Sequence, residues 1–341
     1  LDNFGNVPIS TDFTDKALPA NSSRKEVFNF VEQELKAVIP LLPSGIQYSK
    51  FTQNVAYTLL ARLYLNAEVY TGTPRWQDCL NACDKVKGFS LTSNYKASFA
   101  IKNEDSPEII FAIPYDHKQG TVGNYLASMT YHYNQKLAFD PAGKYQWCGN
   151  GICAQPGLYS SFEANDVRRN CLLIGQQYNA ATGAPVLMDN GDPLNYTETI
   201  GDFTKAAQNE GARLDKYEWS PNDQWERDND WVLMRYAEVL MMQAEANFRL
   251  GYMQNALDAI NAIRHRAGLN DLTTLTLDDL DKEWRHEFVF EGLRRTTNIR
   301  FGDFFKAWWG KPAEADKHTA LFPIPHDELA KNSNLKQNPG Y

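Results

Sequence analysis

Glu283, Glu287 and Glu291 recur at four-residue intervals, which puts them on one face of a helix. Paired carboxylates are the machinery of glycoside hydrolysis, one as proton donor and the other as base or nucleophile. Arg285, His286, Arg294 and Arg295 stand beside them, so ion pairing and helix support account for the same pattern without catalysis. No catalytic residue is assigned on this basis. Arg235, Arg264, Arg266, Arg294, Arg295 and Arg300 fall at helical repeat positions. Interior pairing with acids such as Glu238 or Glu245 is expected of them rather than anion capture.

The second chemistry on offer is stacking. A sugar presents an apolar C–H face and a rim of hydroxyls, and an aromatic ring flanked by Asn, Asp, Gln or Arg matches both. Two stretches have this mixture. One runs from Tyr131-His132-Tyr133-Asn134 to Tyr145-Gln146-Trp147, with Asn150 close by. The other runs from Tyr217-Glu218-Trp219 to Asn222-Asp223-Gln224-Trp225, then Trp231. The candidate ligand-binding residues are Tyr131, Tyr133, Tyr145, Trp147, Trp219 and Trp225. The plainer alternative for each ring is that it plugs the core beneath a long loop. Trp147 and Trp225 are expected on a loop-rich face, at least one of them against a sugar ring.

Other chemistries lack their signatures. The six histidines are scattered, with no H-E-x-x-H, no C-x-x-C and no zinc-like spacing. Asp189-Asn190-Gly191-Asp192 is turn chemistry without the ligand spacing of an EF-hand. No phosphate-binding glycine motif and no G-x-S-x-G is found. Neither a metal nor a cofactor is expected. The net charge of −8 comes without a basic patch, which argues against a nucleic-acid partner. No run of about 18 apolar residues is present to span a membrane. The five cysteines cannot all pair with one another. Cys148 and Cys153 could pair, whereas Cys79 and Cys83, four apart on a predicted helix, read as small apolar packing residues.

Helices must hold these loops. Ser23-Arg24-Lys25-Glu26 is a capping box, and Val27, Val31, Leu35 and Val38 follow at helical spacing before Pro40, predicting a helix over 23–39. Segments starting at Tyr57 and Tyr236 align without a gap for sixteen residues, pairing Ala67 with Ala246 and Gly72 with Gly251. Each glycine suits a left-handed helix cap and a second helix follows each, 76–86 and 254–266, ending at Gly88 and Gly268. The unit is a helical hairpin of about 33 residues, the size of a tetratricopeptide repeat. Both glycines should lie at connecting turns, and alanines such as Ala61, Ala67, Ala82, Ala244, Ala246 and Ala259 let the helices approach closely. Residues 108–113 read as a strand, and 115–231 as irregular structure of the kind that carries binding surfaces. Leu280, Trp284, Phe288 and Glu291 predict a helix ending near Gly292. The predicted fold is mainly α: tetratricopeptide-like hairpins over about 23–88 and 231–310, supporting a loop-rich region over about 108–230 with a few short strands.

Five segments in order resemble the SusD/RagB family. They are Asp2-Asn3-Phe4-Gly5-Asn6-Val7-Pro8-Ile9; Arg235–Val239 with Ala244-Glu245-Ala246; Ile260–Arg264 with Arg266–Leu269; Glu287–Arg295 with Ile299–Gly302; and Phe322–Pro325 with Gln337–Tyr341. The resemblance implies one domain over 1–341, four tetratricopeptide-like hairpins and a loop-rich face. It implies non-catalytic glycan binding at the cell surface, with delivery to a SusC-like TonB-dependent transporter barrel. It further implies an outer-membrane lipoprotein whose only membrane contact is a lipid-anchored cysteine upstream of Leu1. Leu1-Asp2-Asn3-Phe4-Gly5 reads as the middle of a fold, and in the family an N-terminal region contributes to the sugar site. Two other functions stay open: a glycoside hydrolase on a helical scaffold, and a tetratricopeptide scaffold that binds a peptide. The sugar is not named by any motif.

Overall fold

A computed structural model describes residues 1–12, 14–120, 123–140, 147–219 and 227–341. The first helix, α1 (Arg24–Val38), begins where the capping box predicts. The Ser23 hydroxyl accepts from the Glu26 amide, and the Glu26 carboxylate accepts from the Ser23 amide at 2.7 Å. Pro40 follows directly, and Val27, Phe28 and Leu35 face inward.

The two repeats are helical hairpins, as their alignment predicts. In the first, α2 (Gln53–Leu65) and the short α3 (Ala67–Thr71) run to Gly72, and α4 (Trp76–Cys83) returns. The strand β1 (Ile109–Ile113) and two single-turn helices, α5 (Lys136–Phe139) and α6 (Leu158–Ser161), come next. The two-residue strands β2 (Leu172–Leu173), β3 (Gly175–Gln176), β4 (Asn195–Tyr196) and β5 (Arg213–Leu214) follow, then β6 (Trp231–Arg235). The second hairpin is α7 (Tyr236–Leu250) and α8 (Met253–Arg266), joined at Gly251. Gly72 and Gly251 both adopt left-handed conformations, with φ of +77° and +83°. Ala61, Ala67, Ala82, Ala244 and Ala246 are all buried where α2, α4, α7 and α8 meet.

The copies differ at one place. The first is interrupted at Asn66, whose side-chain amide donates to the Arg62 carbonyl at 2.9 Å and so competes for the helix's own acceptor. Glu245 occupies the matching position of the unbroken copy. Arg300 reaches both: it donates to the Asn66 side chain at 2.8 Å and to the two Glu245 oxygens at 2.8 and 2.9 Å. One cation therefore locks the two hairpins together at equivalent positions.

The C-terminal part adds α9 (Leu277–Glu287), α10 (Arg294–Phe301) and α11 (His326–Lys331). The helix expected to reach Gly292 stops sooner. Phe288 leaves helical geometry and Phe290 adopts φ +62°, so Glu291 lies beyond the helix that carries Glu283 and Glu287. In the first repeat, α4 likewise ends at Cys83 rather than Val86, through tighter turns at Lys85 and Val86. No helix among the described residues is long and apolar enough to cross a membrane. All five cysteines are free, with Cys79, Cys83, Cys148 and Cys171 buried.

Strands β1 and β6 pair antiparallel with irregular register, and β2–β5 and β3–β4 form separate two-residue ladders. The architecture is thus mainly helical: hairpins supporting a loop-rich face with a few short strands.

Candidate functional site

The loop-rich face is anchored by a buried ion network at its junction with the helices. Arg235, where β6 becomes α7, donates to Glu108 at 2.8 Å, to Glu287 at 2.6 Å and to both oxygens of Glu291 at 2.7 Å. Arg266 joins Glu108 at 3.0 Å and also bonds Glu287. Arg168 bonds Glu283, Glu287 at 3.0 Å and Asp166 at 2.8 Å. Lys216 bonds Glu291 and the Val289 carbonyl, the latter at 2.9 Å. Burial pushes the Glu287 carboxyl up, but Arg266, Arg235 and Arg168 outweigh it and hold it well below the ordinary range. An acid held ionised by three arginines does not donate protons, so Glu287 serves as a structural joint. The pairing expected for the arginines is present, with Glu245 among the partners as expected and most of the others different. Glu238 pairs with Arg62, Arg294 with Asp281, and Arg300 with Glu245. His286 is buried against Phe162, its rings stacked at 3.8 Å, and burial and nearby Arg168 push it down to about 2.

The face itself is built on this joint. Beyond β1 and β6 the two chain runs meet once more, where the Asn124 amide donates to the Arg227 carbonyl at 2.7 Å. The chain then turns tightly over Tyr125–Thr130. Residues 149–151 pack along this turn: the Gly149 amide donates to Ser128 O at 3.1 Å, Asn150 to Tyr131 O at 2.8 Å and Gly151 to Met129 O at 2.8 Å. Both glycines leave room for side chains packed over them. A Cβ at Gly149 would stand 2.7 Å from the Trp147 ring and 2.8 Å from the Met129 sulfur, and one at Gly151 would meet the Met129 methyl. The close approach brings Trp147 against Tyr125, with ring centroids 5.9 Å apart and planes at 39°. Tyr125 is 44% exposed and Trp147 half-buried.

The sequence-predicted rings separate into layers. Tyr133 is 44% exposed. Next to it, His132 is buried: its Nδ1 accepts from the Asn134 amide at 3.1 Å and its Nε2 lies 2.9 Å from the Gln208 carbonyl oxygen. The ring is thus held at both nitrogens, beside Tyr133. Tyr131 is only 1% exposed, and its hydroxyl donates to Asp215 at 2.6 Å. Burial, with the Asp215 charge beside it, pushes this hydroxyl far up. Trp219 is half-buried, packed on Phe139 at 4.8 Å and Tyr131 at 5.7 Å, with the buried Arg227 guanidinium 4.4 Å from its centroid. Tyr131, Phe139, Trp219 and Arg227 pack on one another as one cluster. Tyr145 and Trp225 lie outside the described residues. Tyr125 escaped the sequence reading. Its exposure depends on a turn and on a glycine pair more than twenty residues away, and no local pattern signals that.

Two groups of potential metal ligands come together, Asp116, His117 and Asp228, and Glu314, Asp316 and His318, each with ligand atoms within 4.8 Å of one another. His117 Nδ1 bonds Asp228 at 2.5 Å, across 111 residues of sequence that no spacing motif spans.

A model of the SusD family matches residues 107–341. The starch-binding protein SusD of Bacteroides thetaiotaomicron is 24% identical over 400 aligned residues, covering all of this chain and 70% of that protein. A laminarin-binding SusD-like protein superposes with a TM-score of 0.78 at 23% identity, over all of this chain and 75% of that one. Surface glycan-binding protein A from Bacteroides thetaiotaomicron, solved in complex with laminarihexaose, gives a TM-score of 0.73 at 22% identity, over 99% of this chain and 74% of that one.

Proposed function

We infer the function on the premise that this chain belongs to the SusD family, and propose that it is a non-catalytic glycan-binding protein. The observation that carries this reading is the Tyr125–Trp147 ring pair, presented on a loop face that the ion joint fixes to rigid helices. Two rings at 39° make a shallow curved seat for a sugar's C–H face. Tyr133 extends the exposed aromatic surface, and Asn134 and Asp189 beside it supply partners for hydroxyls. The names of the related proteins support a polysaccharide ligand, since starch and laminarin are both glucose polymers.

The wider setting follows from the same family. We read residues 1–341 as part of one SusD-like domain, carried on the outside of the outer membrane by a lipid anchor. There it presents captured oligosaccharide to a SusC-like TonB-dependent transporter. Glu283 and Glu287 on α9 are both engaged by arginines, which supports binding without turnover.

The test is truncation of the seat. Trp147→Ala and Tyr125→Ala, made in the full-length protein, are titrated calorimetrically with maltohexaose and laminarihexaose. Loss of either ring should cost about 1–3 kcal/mol, roughly a 5- to 150-fold weaker Kd. Thermal melting should move little for Tyr125→Ala, because that ring is largely exposed. Normal binding by both variants would discard the seat, and hydrolysis of either hexasaccharide would discard the non-catalytic reading.

A further inference from the structure

We propose that Phe203 and Trp309 form a second carbohydrate platform, which takes a neighbouring stretch of the same uncharged polysaccharide chain. The proposal rests on the glycan-binding reading above and adds a site to it.

Phe203 is 64% exposed, Trp308 39% and Trp309 36%. Their loops are distant in sequence but meet in space, with the Phe203 and Trp309 rings 6.0 Å apart and at 73°. Rings at this angle form a corner: one lies beneath a sugar face while the other bounds its edge. Both loops are stapled locally. The Trp308 amide donates to Lys311 O at 3.0 Å and the Lys311 amide to Trp308 O at 2.8 Å, closing a tight hairpin in which Gly310 takes φ +73°. Asp202 accepts from the Thr204 amide at 2.9 Å and from its hydroxyl at 2.7 Å. The rings are thus held ready before any ligand arrives, which lowers the entropic cost of binding.

The surroundings select the occupant. Between 202 and 205 and between 306 and 311, every residue other than the three rings is Asp, Thr, Lys, Ala or Gly. Flat rings with a hydrophilic rim suit a sugar. The charges at the rim cancel: Lys306 pairs with Asp303, Lys311 pairs with Glu314, and Asp202 stands three residues from Lys205. Such a rim neither attracts a polyanion nor repels a neutral polymer. The Phe203 loop is also tied to the first seat, since Gln208 bonds His132, next to Tyr133, at 2.9 Å.

Two platforms on one chain predict a difference between long and short ligands. A hexasaccharide occupies the better seat alone, whereas a polymer bridges both and gains avidity. Phe203→Ala and Trp309→Ala in the full-length protein are to be compared with wild type by retardation in gels containing starch or laminarin. The same proteins are titrated with maltohexaose and laminarihexaose. Apparent polymer affinity should fall about five-fold or more in the variants, with hexasaccharide Kd within about two-fold of wild type. Trp309→Phe should retain most of the polymer affinity, and it carries the test with Phe203→Ala if Trp309→Ala folds poorly. Unchanged retardation, or equal losses for polymer and hexasaccharide, overturns the second platform while leaving the first intact. A wild type that sediments as a dimer dissociated by Phe203→Ala overturns it in favour of a second copy as occupant. If wild type retains no glucan at all, the glycan-binding reading itself falls, a result distinct from the others.

Discussion

Glycine does different work in the two regions of this molecule. At Gly72 and Gly251, which end the first arms of the two hairpins, a Cβ would meet nothing within 4 Å, so the residue is there for its left-handed φ. At Gly149, in the loop-rich face, a Cβ would collide with Trp147 and Met129, so the residue is there to let side chains approach. The contrast extends to what holds each region together. The hairpins share a core in which Ala, Leu and Met from α2, α4, α7 and α8 are fully buried. The loop-rich region has smaller apolar clusters and depends on buried charge at its base, where Arg168, Lys216 and Arg235 are almost wholly enclosed. The helices are stabilised by repetition, the face by individual long-range contacts.

The largest expected effect comes from breaking the joint between the two regions. Arg235→Met leaves Glu108, Glu287 and Glu291 short of a partner and should cost about 3–5 kcal/mol in chemical or thermal unfolding. The pH dependence follows from Glu287. Its folded value is depressed below the ordinary 4.5, so its contribution is fully present above that pH and is lost as pH falls towards the folded value. Wild type should therefore lose stability on acidification below about pH 4.5, and the loss should be shallower in Arg235→Met, whose Glu287 is less depressed. Equal stability of the two proteins at pH 7 would remove the joint from this account.

A smaller effect, on binding rather than on folding, is expected at Gly149→Ala. The added methyl must displace the Trp147 ring, and glucan affinity should fall by about 1–3 kcal/mol, as for loss of the ring itself. Gly251→Ala should do the reverse. It should cost about 1–2 kcal/mol of stability through its left-handed φ and leave the affinity unchanged. Gly72→Ala should match it closely, because the two sites share φ within a few degrees and equal open space. A binding defect in Gly251→Ala, or none in Gly149→Ala, would erase the distinction between backbone and packing glycines.

These differences explain what could be read in advance. The Ser23 cap, the paired hairpins and their glycine ends follow rules that act within one or two helical turns, and local sequence suffices to state them. The arginines were recognisable as pairing residues, but apart from Glu245 their partners were not. Arg235 meets Glu108 across 127 residues and Glu287 across 52, a choice made by how β1, β6 and α9 converge. Tyr131 and Tyr133, two residues apart and alike in composition of surroundings, end up buried and exposed respectively. The buried His132, bonded on both ring nitrogens, divides them.

The sequence alone determined the helical class, the repeat and the family to which the chain belongs, because periodicity, caps and ordered motifs are carried by neighbouring residues. Which aromatic rings meet solvent, and which support them, depends on how the folded chain packs. Exposure belongs to the packing of distant segments: Trp147 presents a surface because 149–151 lies along 128–131, and Phe203 does so because a loop reaches Trp309. A ring's chemistry is written in its residue type, but its access to a ligand is set by whatever the rest of the chain places above it.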